Sequence, residues 1–181
     1  MARSANPVIG FKVYCPAGPP HPRLPKASPP PAHALPIHDV AVDHFEVMKD
    51  DGVLRARVDG SIVVCLYDAV EEAGGMVRLR IIPAAFGSTE ASDETLAADL
   101  LLLDCCLAAL QVAAPAAKNW QARLVTHYGV DGLLQPIGRG VLNSVTHAIE
   151  DSGVRIVQSE GEVGEAVTLG FRPAMGQMRR L

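Results

Sequence analysis

The chain has 181 residues, with 16 Lys and Arg against 20 Asp and Glu, and no basic stripe interleaved with aromatics, which argues against nucleic acid as a partner. Apolar residues make up 49% of it but aromatics only 4%, so one globular domain with an aliphatic core is expected. The longest apolar run, residues 100–112, is interrupted by Asp104 and falls short of the roughly 20 residues a membrane span needs, so no membrane insertion is expected.

The start, Met-Ala-Arg-Ser, meets prolines in place of an apolar segment and does not read as a secretory signal. A cytoplasmic location is therefore the default expectation. Cys15, Cys65, Cys105 and Cys106 show neither a CxxC pair nor Cys/His ligand spacing. No metal site, no cofactor and, in a reducing compartment, no disulfide is expected.

Residues 1–36 hold ten of the fourteen prolines, including Pro29-Pro30-Pro31, and lack both the donors and the apolar periodicity of a helix or sheet. The stretch 1–37 reads as a disordered or polyproline-like arm and 38–181 as the folded domain. His21, His33 and His38, in or beside the arm, carry no mechanistic weight. From Ile37 the composition changes. Val40, Val42, Phe45 and Val47 begin the globular part, Asp50-Asp51-Gly52 marks a turn, and 53–58 reads as a short strand.

After Asp59-Gly60, residues 61–67 are rich in β-branched side chains and apolar throughout, which predicts a strand covered on both faces. Residues 68–75 read as a loop ending in glycine. Residues 76–82 alternate, Val77, Leu79 and Ile81 against Arg78 and Arg80, giving a strand with one wetter face that Pro83 ends.

Ser92-Asp93-Glu94 offers a cap and first-turn acids, and Leu96, Leu100, Leu103, Leu107 and Leu110 recur at helical spacing over about five turns. Leu101, Leu102, Cys105 and Cys106 widen its apolar face, so this helix should be deeply buried or covered by a partner. Residues 115–118 break it and 120–128 read as a strand. A second helix begins near Pro136, shows Val141, Leu142, Val145, Ala148 and Ile149 on one face, and has Gly153 just past its end. Strands are expected at 154–158, 166–171 and, weakly, 175–178. This order predicts an α/β (α+β) layered sandwich, a mixed β-sheet with two main helices packed on it.

At Val47-Met48-Lys49, Gly52-Val53, Gly60-Ser61, Val63 to Asp68, Gly75-Met76 and Pro83 the chain resembles the CheD-type chemoreceptor glutamine deamidases of bacterial chemotaxis. Ile137-Gly138, ahead of a helix ending at Gly153, and residues 154–157 extend the resemblance over roughly residues 40–178. It implies a cysteine that attacks the side-chain amide of a receptor glutamine, releasing ammonia, and a thioester that hydrolyses to leave glutamate. It also implies two partners, chemoreceptor cytoplasmic helices and a CheC-type phosphatase. The thiolate needs a His to take its proton and a polar residue to hold that His.

In the family the cysteine follows Gly-Ser, the His comes two residues after the Met of Gly-Gly-Met, and a Thr precedes the cysteine by six positions. Here these positions fall on Ile62, Arg78 and Ala56. Ile62 has no nucleophilic atom, Arg78 stays protonated, and Ala56 has no hydrogen-bonding side chain. A slip of one residue would move the His position to Val77 or Leu79. The family's paired glycines and following Arg give way to Gly161-Glu162-Val163-Gly164-Glu165.

Cys65, three residues beyond Ile62, faces the other side of a strand and reads as a packing residue, the weak alternative nucleophile. Cys105-Cys106 reads as helix core and flank. His44, His127 and His147 read as surface or hydrogen-bonded residues, His127 and His44 being those placed to border a pocket. Gly60, Ser61, Gly74, Gly75, Arg78 and Arg80 form the expected partner-binding set, the two arginines suiting an acidic surface. The expected function is a CheD-like chemotaxis protein of the hydrolase family, catalytically inactive and acting as a binding or regulatory module. The alternative is an active protein-glutamine deamidase or related amidohydrolase with a relocated cysteine.

Overall fold

The computed structural model describes residues 35–83 and 91–181, where the elements run β1 (Ile37–Asp39), β2 (His44–Met48), β3 (Val53–Val58), β4 (Ser61–Asp68), β5 (Ala73–Arg80), α1 (Asp93–Ala113), β6 (Gln121–His127), α2 (Gln135–Asp151), β7 (Arg155–Glu162), β8 (Val167–Arg172) and β9 (Gln177–Arg180). All of them belong to one compact unit, Ala34–Leu181. The proline-rich arm through residue 34, with Cys15, His21 and His33, lies outside the described residues. Its expected boundary at residue 37 is corrected. Ile37 already pairs with Val53 in β1, and the Pro36 carbonyl accepts the Val53 amide at 2.9 Å.

The layered α/β sandwich is what forms, with its strands divided between two sheets where one was expected. The larger sheet has the order β2-β5-β4-β6-β7 and the smaller β1-β3-β8-β9. The division follows from side-chain pattern. β4 is buried at every position and has no polar face to give to water. β3 buries Leu54, Ala56 and Val58 while Arg55 and Arg57 turn outward, so it forms part of a sheet with one wet side. Gly60, at φ +51°, turns the chain from one sheet to the other at a conformation costly for any residue with a Cβ.

β4 therefore lies at the centre of three layers. Its Ile62, Val64 and Leu66 join Val77, Leu79, Leu124 and the helices in one core. Its Val63, Cys65 and Tyr67 join Ala56, Met76, Val125, Leu169 and Phe171 in a second core between the sheets. Tyr67 and Phe171 meet edge-on, ring centroids 6.0 Å apart.

α2 sends Ile137, Val141, Val145 and Ile149 into the first core, one residue every four, and crosses over between the parallel neighbours β6 and β7. α1 runs 21 residues and buries Asp99, Leu103, Cys106 and Leu110, leaving Leu101 and Val112 exposed. Of the two alternatives expected for this helix, deep burial or cover by a partner, the first is corrected to a single buried stripe. By length and composition α1 could cross a membrane; in the fold it packs along β2 and β5.

The predicted loop at 68–75 is shorter than expected. β5 begins at Ala73, so Gly74 and Gly75 are strand residues paired with Tyr67 and Leu66. The reversal is the four residues 69–72, with Glu72 at φ +53°. Asp68 holds it. Its carboxylate accepts the amides of Val70 (2.9 Å), Glu71 (3.3 Å), Lys118 (3.1 Å) and Asn119 (2.8 Å), tying the turn to the segment after α1. Burial opposes the charge, but the four donated bonds outweigh it and hold the carboxyl below its ordinary pKa.

Candidate functional site

The positions that the resemblance marks for nucleophile, base and orienting hydroxyl do not converge. Ile62 has no exposed surface and lies in the helix-side core. Ala56 lies in the core between the sheets. Arg78 shares the inter-sheet face with Met76, because Val77 and Leu79 on either side of it belong to the helix-side core. The thickness of the larger sheet therefore separates Ile62 from the other two. The slipped assignment does no better, since Leu79 pairs directly with Ile62 and is equally sealed.

The pairing register explains the mismatch. β4 and β5 join Ser61 to Arg80, Ile62 to Leu79 and Val63 to Arg78. Opposed residues of an antiparallel pair share a face, so Arg78 goes with Val63 and Cys65. Across β4 on its other side, Ile62 faces Thr126. Thr126 is fully buried, and its Oγ1 has no hydrogen-bond partner among the described residues, the one polar group beside Ile62 in this pairing. The strand pattern alone did not mark it, because Thr is a common strand residue.

Cys65 is fully buried between the sheets, and burial raises its thiol pKa above the ordinary value despite the opposing charge of Arg123. A thiol that resists ionisation and meets no solvent is a packing residue and lacks what a relocated nucleophile needs. Cys106 is similar, pushed up to about 12 by burial and then by Cys105. Cys105 is exposed on the outer side of α1.

The expected partner-binding set is divided. Gly60, Ser61, Arg78 and Arg80 gather at the open end of the β4–β5 hairpin, whereas Gly74 and Gly75 pair with Tyr67 and Leu66 at the closed end. Along β5 three residues, roughly 10 Å, separate Gly75 from Arg78, and five, roughly 17 Å, separate it from Arg80. Gly74 and Gly75 are packing residues. A Cβ at Gly74 would lie 2.4 Å from the Leu66 carbonyl oxygen, and one at Gly75 would lie 2.9 Å from that of Glu46.

At the open end, the buried Ser61 Oγ accepts the Asp59 amide at 3.2 Å. Ser61 stands between Arg80 on β5 and the buried His127 on β6. The Ser–His pairing resembles a nucleophile with its base, yet His127 Nδ1 accepts the Gly129 amide at 3.4 Å. The neutral ring then carries its proton on Nε2, so neither nitrogen has a free lone pair for Ser61. His127 is an internal hydrogen-bonded residue. His44 bonds the Val42 carbonyl through Nδ1 at 2.9 Å and is exposed.

Two arginines at this end are already compensated. Arg80 bridges Asp43 at 3.0 Å, and Arg57 and Asp59 face each other at 3.9 Å. Arg78 is half-buried; desolvation lowers its pKa against the pull of Asp59 and Asp43, and its Nε has no partner among the described residues. A guanidinium remains charged through such a shift. The open end thus combines one incompletely bonded cation with a ring of paired charges.

Two glycines of the resemblance have a common structural reason. A Cβ on Gly138 of α2 or on Gly161 of β7 would lie 2.6 Å from the Tyr128 ring or hydroxyl, so Tyr128 is clamped between a helix and a strand that approach without side chains. No family model matches the chain, and no curated protein matches it.

Proposed function

We propose that this chain is a CheD-like protein of bacterial chemotaxis that works in the cytoplasm by binding, without deamidating glutamine. The observation that carries the reading is the occupant of the nucleophile position. Ile62 is an aliphatic side chain with no exposed surface, on the opposite face of the sheet from Ala56 and Arg78. Amide attack needs an ionisable, reachable thiol within hydrogen-bond reach of a base. Neither Ile62 nor the sealed, hard-to-ionise Cys65 supplies one.

Binding, unlike amide attack, needs only a surface. The open end of the hairpin, with Gly60, Ser61, Arg78 and Arg80, is the part of the expected set held together, and the half-buried Arg78 and the exposed Arg80 give it positive charge for an acidic group. The partners in this reading are chemoreceptor cytoplasmic helices or a CheC-type phosphatase.

The test is paired. Purified protein incubated with receptor fragments should release no ammonia while retaining a receptor fragment or the phosphatase in a pull-down, and Arg78→Ala should weaken that retention. Ammonia release abolished by Cys65→Ala would overturn the loss of catalysis, and retention of neither partner would overturn the binding role.

A further inference from the structure

α1 carries an aspartate where its buried stripe should be apolar. Asp99 shares that stripe with Leu103, Cys106 and Leu110, is 5% exposed, and its Oδ2 has no hydrogen-bond partner among the described residues. Leaving a carboxylate oxygen dry and unbonded is costly. The helix itself does not explain the charge, because Asp99 lies beyond the first turn, where Asp93 and Glu94 already place negative charge.

The carboxyl lines a cavity of about 400 Å³ bounded by Asp43, Ile82, Glu94, Asp99 and Leu102, with the Thr95 side chain among its walls. Three acids and a hydroxyl thus face one space whose remaining walls are aliphatic. Arg80 contacts this group through Asp43, to which it is bonded at 3.0 Å.

We infer that this cavity binds an organic cation, an alkylammonium or alkylguanidinium group, with its charged head on Asp99 and its hydrocarbon stem against Ile82 and Leu102. A metal ion fits the site less well. Among the described residues no three His, Cys, Asp or Glu side chains converge closely enough to ligate one. A metal requires oxygens drawn to within about 2.6 Å of a single point. An alkylammonium spreads three donors and a guanidinium five, and both bring a stem that aliphatic walls favour. The same chemistry arrives as a free amine or as the side chain of a Lys or Arg on another protein. This site adjoins the open end of the β4–β5 hairpin through Asp43, and the inference does not depend on the function proposed above.

The bound cation should also respond to pH. Burial, and then the negative charge of Asp43, raise the Asp99 carboxyl to about 7. Asp43 and Glu94 are the other ionisable groups lining the cavity, with Arg80 committed to Asp43. A probe that needs the ionised carboxylate should bind about tenfold more tightly at pH 8 than at pH 6.

The experiment titrates the full chain with n-butylammonium and with n-butylguanidinium, both charged at either pH, following binding by calorimetry and by chemical shifts of α1. Saturable binding is expected at pH 8, weakened about tenfold at pH 6. Asp99→Asn, which keeps the shape, should remove at least tenfold of the affinity together with the pH response, and Ala98→Phe should block the cavity without altering its charge. Blocked Lys and Arg peptides run in parallel assign the natural source: peptide binding tighter than free amine indicates a protein side chain, the reverse a small molecule. No saturable binding of either probe at pH 8, or equal binding by wild type and Asp99→Asn, would overturn the inference.

Discussion

Replacing Ile62 with cysteine tests directly whether that position can hold a reactive thiol. Ile62 is wholly buried and is flanked on its own face by Leu79 and Thr126 in the neighbouring strands. Ile62→Cys removes about two carbon-equivalents, worth roughly 1.6 kcal/mol at about 0.8 kcal/mol per methylene. The space left behind raises the total to about 2–3 kcal/mol. For a domain of this size each kcal/mol moves the melting temperature by about 2–4 °C, so a fall of roughly 5–10 °C is expected in thermal unfolding followed by circular dichroism. In the folded protein the introduced thiol should resist iodoacetamide as Cys65 and Cys106 do, while Cys105 reacts, each site being read by mass spectrometry. Adding Arg78→His and Ala56→Thr should not produce ammonia release, because those side chains lie across the sheet. Labelling of the new thiol at the rate of Cys105, or ammonia release by the triple variant, would refute the two-face geometry.

Asp68→Ala leaves four backbone amides without their acceptor and should cost about 2–4 kcal/mol in urea unfolding. Because the Asp68 carboxyl is held low, its contribution is present above the unfolded value of 3.8 and is lost as pH falls through the folded one, so Asp68→Asn should flatten the loss of stability at acid pH. Gly161→Ala drives a Cβ to 2.6 Å from the Tyr128 hydroxyl and should destabilise by about 1–3 kcal/mol, an effect that Tyr128→Phe should partly relieve. Asp99 has the opposite sign to Asp68. Its folded value of about 7 exceeds the unfolded 3.8, so its stabilising contribution is complete below about pH 4 and is lost as pH rises through about 7; Asp99→Asn should flatten that decline, and an unchanged slope would contradict the assignment.

How much of this was legible from the sequence differs by element. The run from Ile62 to Tyr67 shows a strand buried on both sides because no alternate position is polar. α2 shows its buried face because the same apolar type returns every fourth residue. The two sheets were not legible, since a period of two assigns residues to faces but does not say which strands pair. Gly74 and Gly75 read as a turn because a glycine needed for close packing and one needed for a reversal look alike in a sequence. The real turn is set by Asp68, whose acceptors reach fifty residues ahead to Lys118 and Asn119. Misplacing that turn hid the register, and with it the separation of Ile62 from Arg78. Asp99 was available in principle, as an acid at a stripe position among leucines, but the helix was read by its leucines alone.

β7 also bears on how this protein meets copies of itself. It is the outermost strand of the larger sheet, eight residues long, with most side chains exposed. Such a border presents a row of unpaired amides and carbonyls, the template from which fibrils extend. Its composition works against that outcome. Glu160 and Glu162 put charge on that border, Arg180 fastens Glu162, and Arg123 fastens Gln158. An edge strand whose charged and polar side chains are tied to neighbouring strands in this way is a poor template for further pairing.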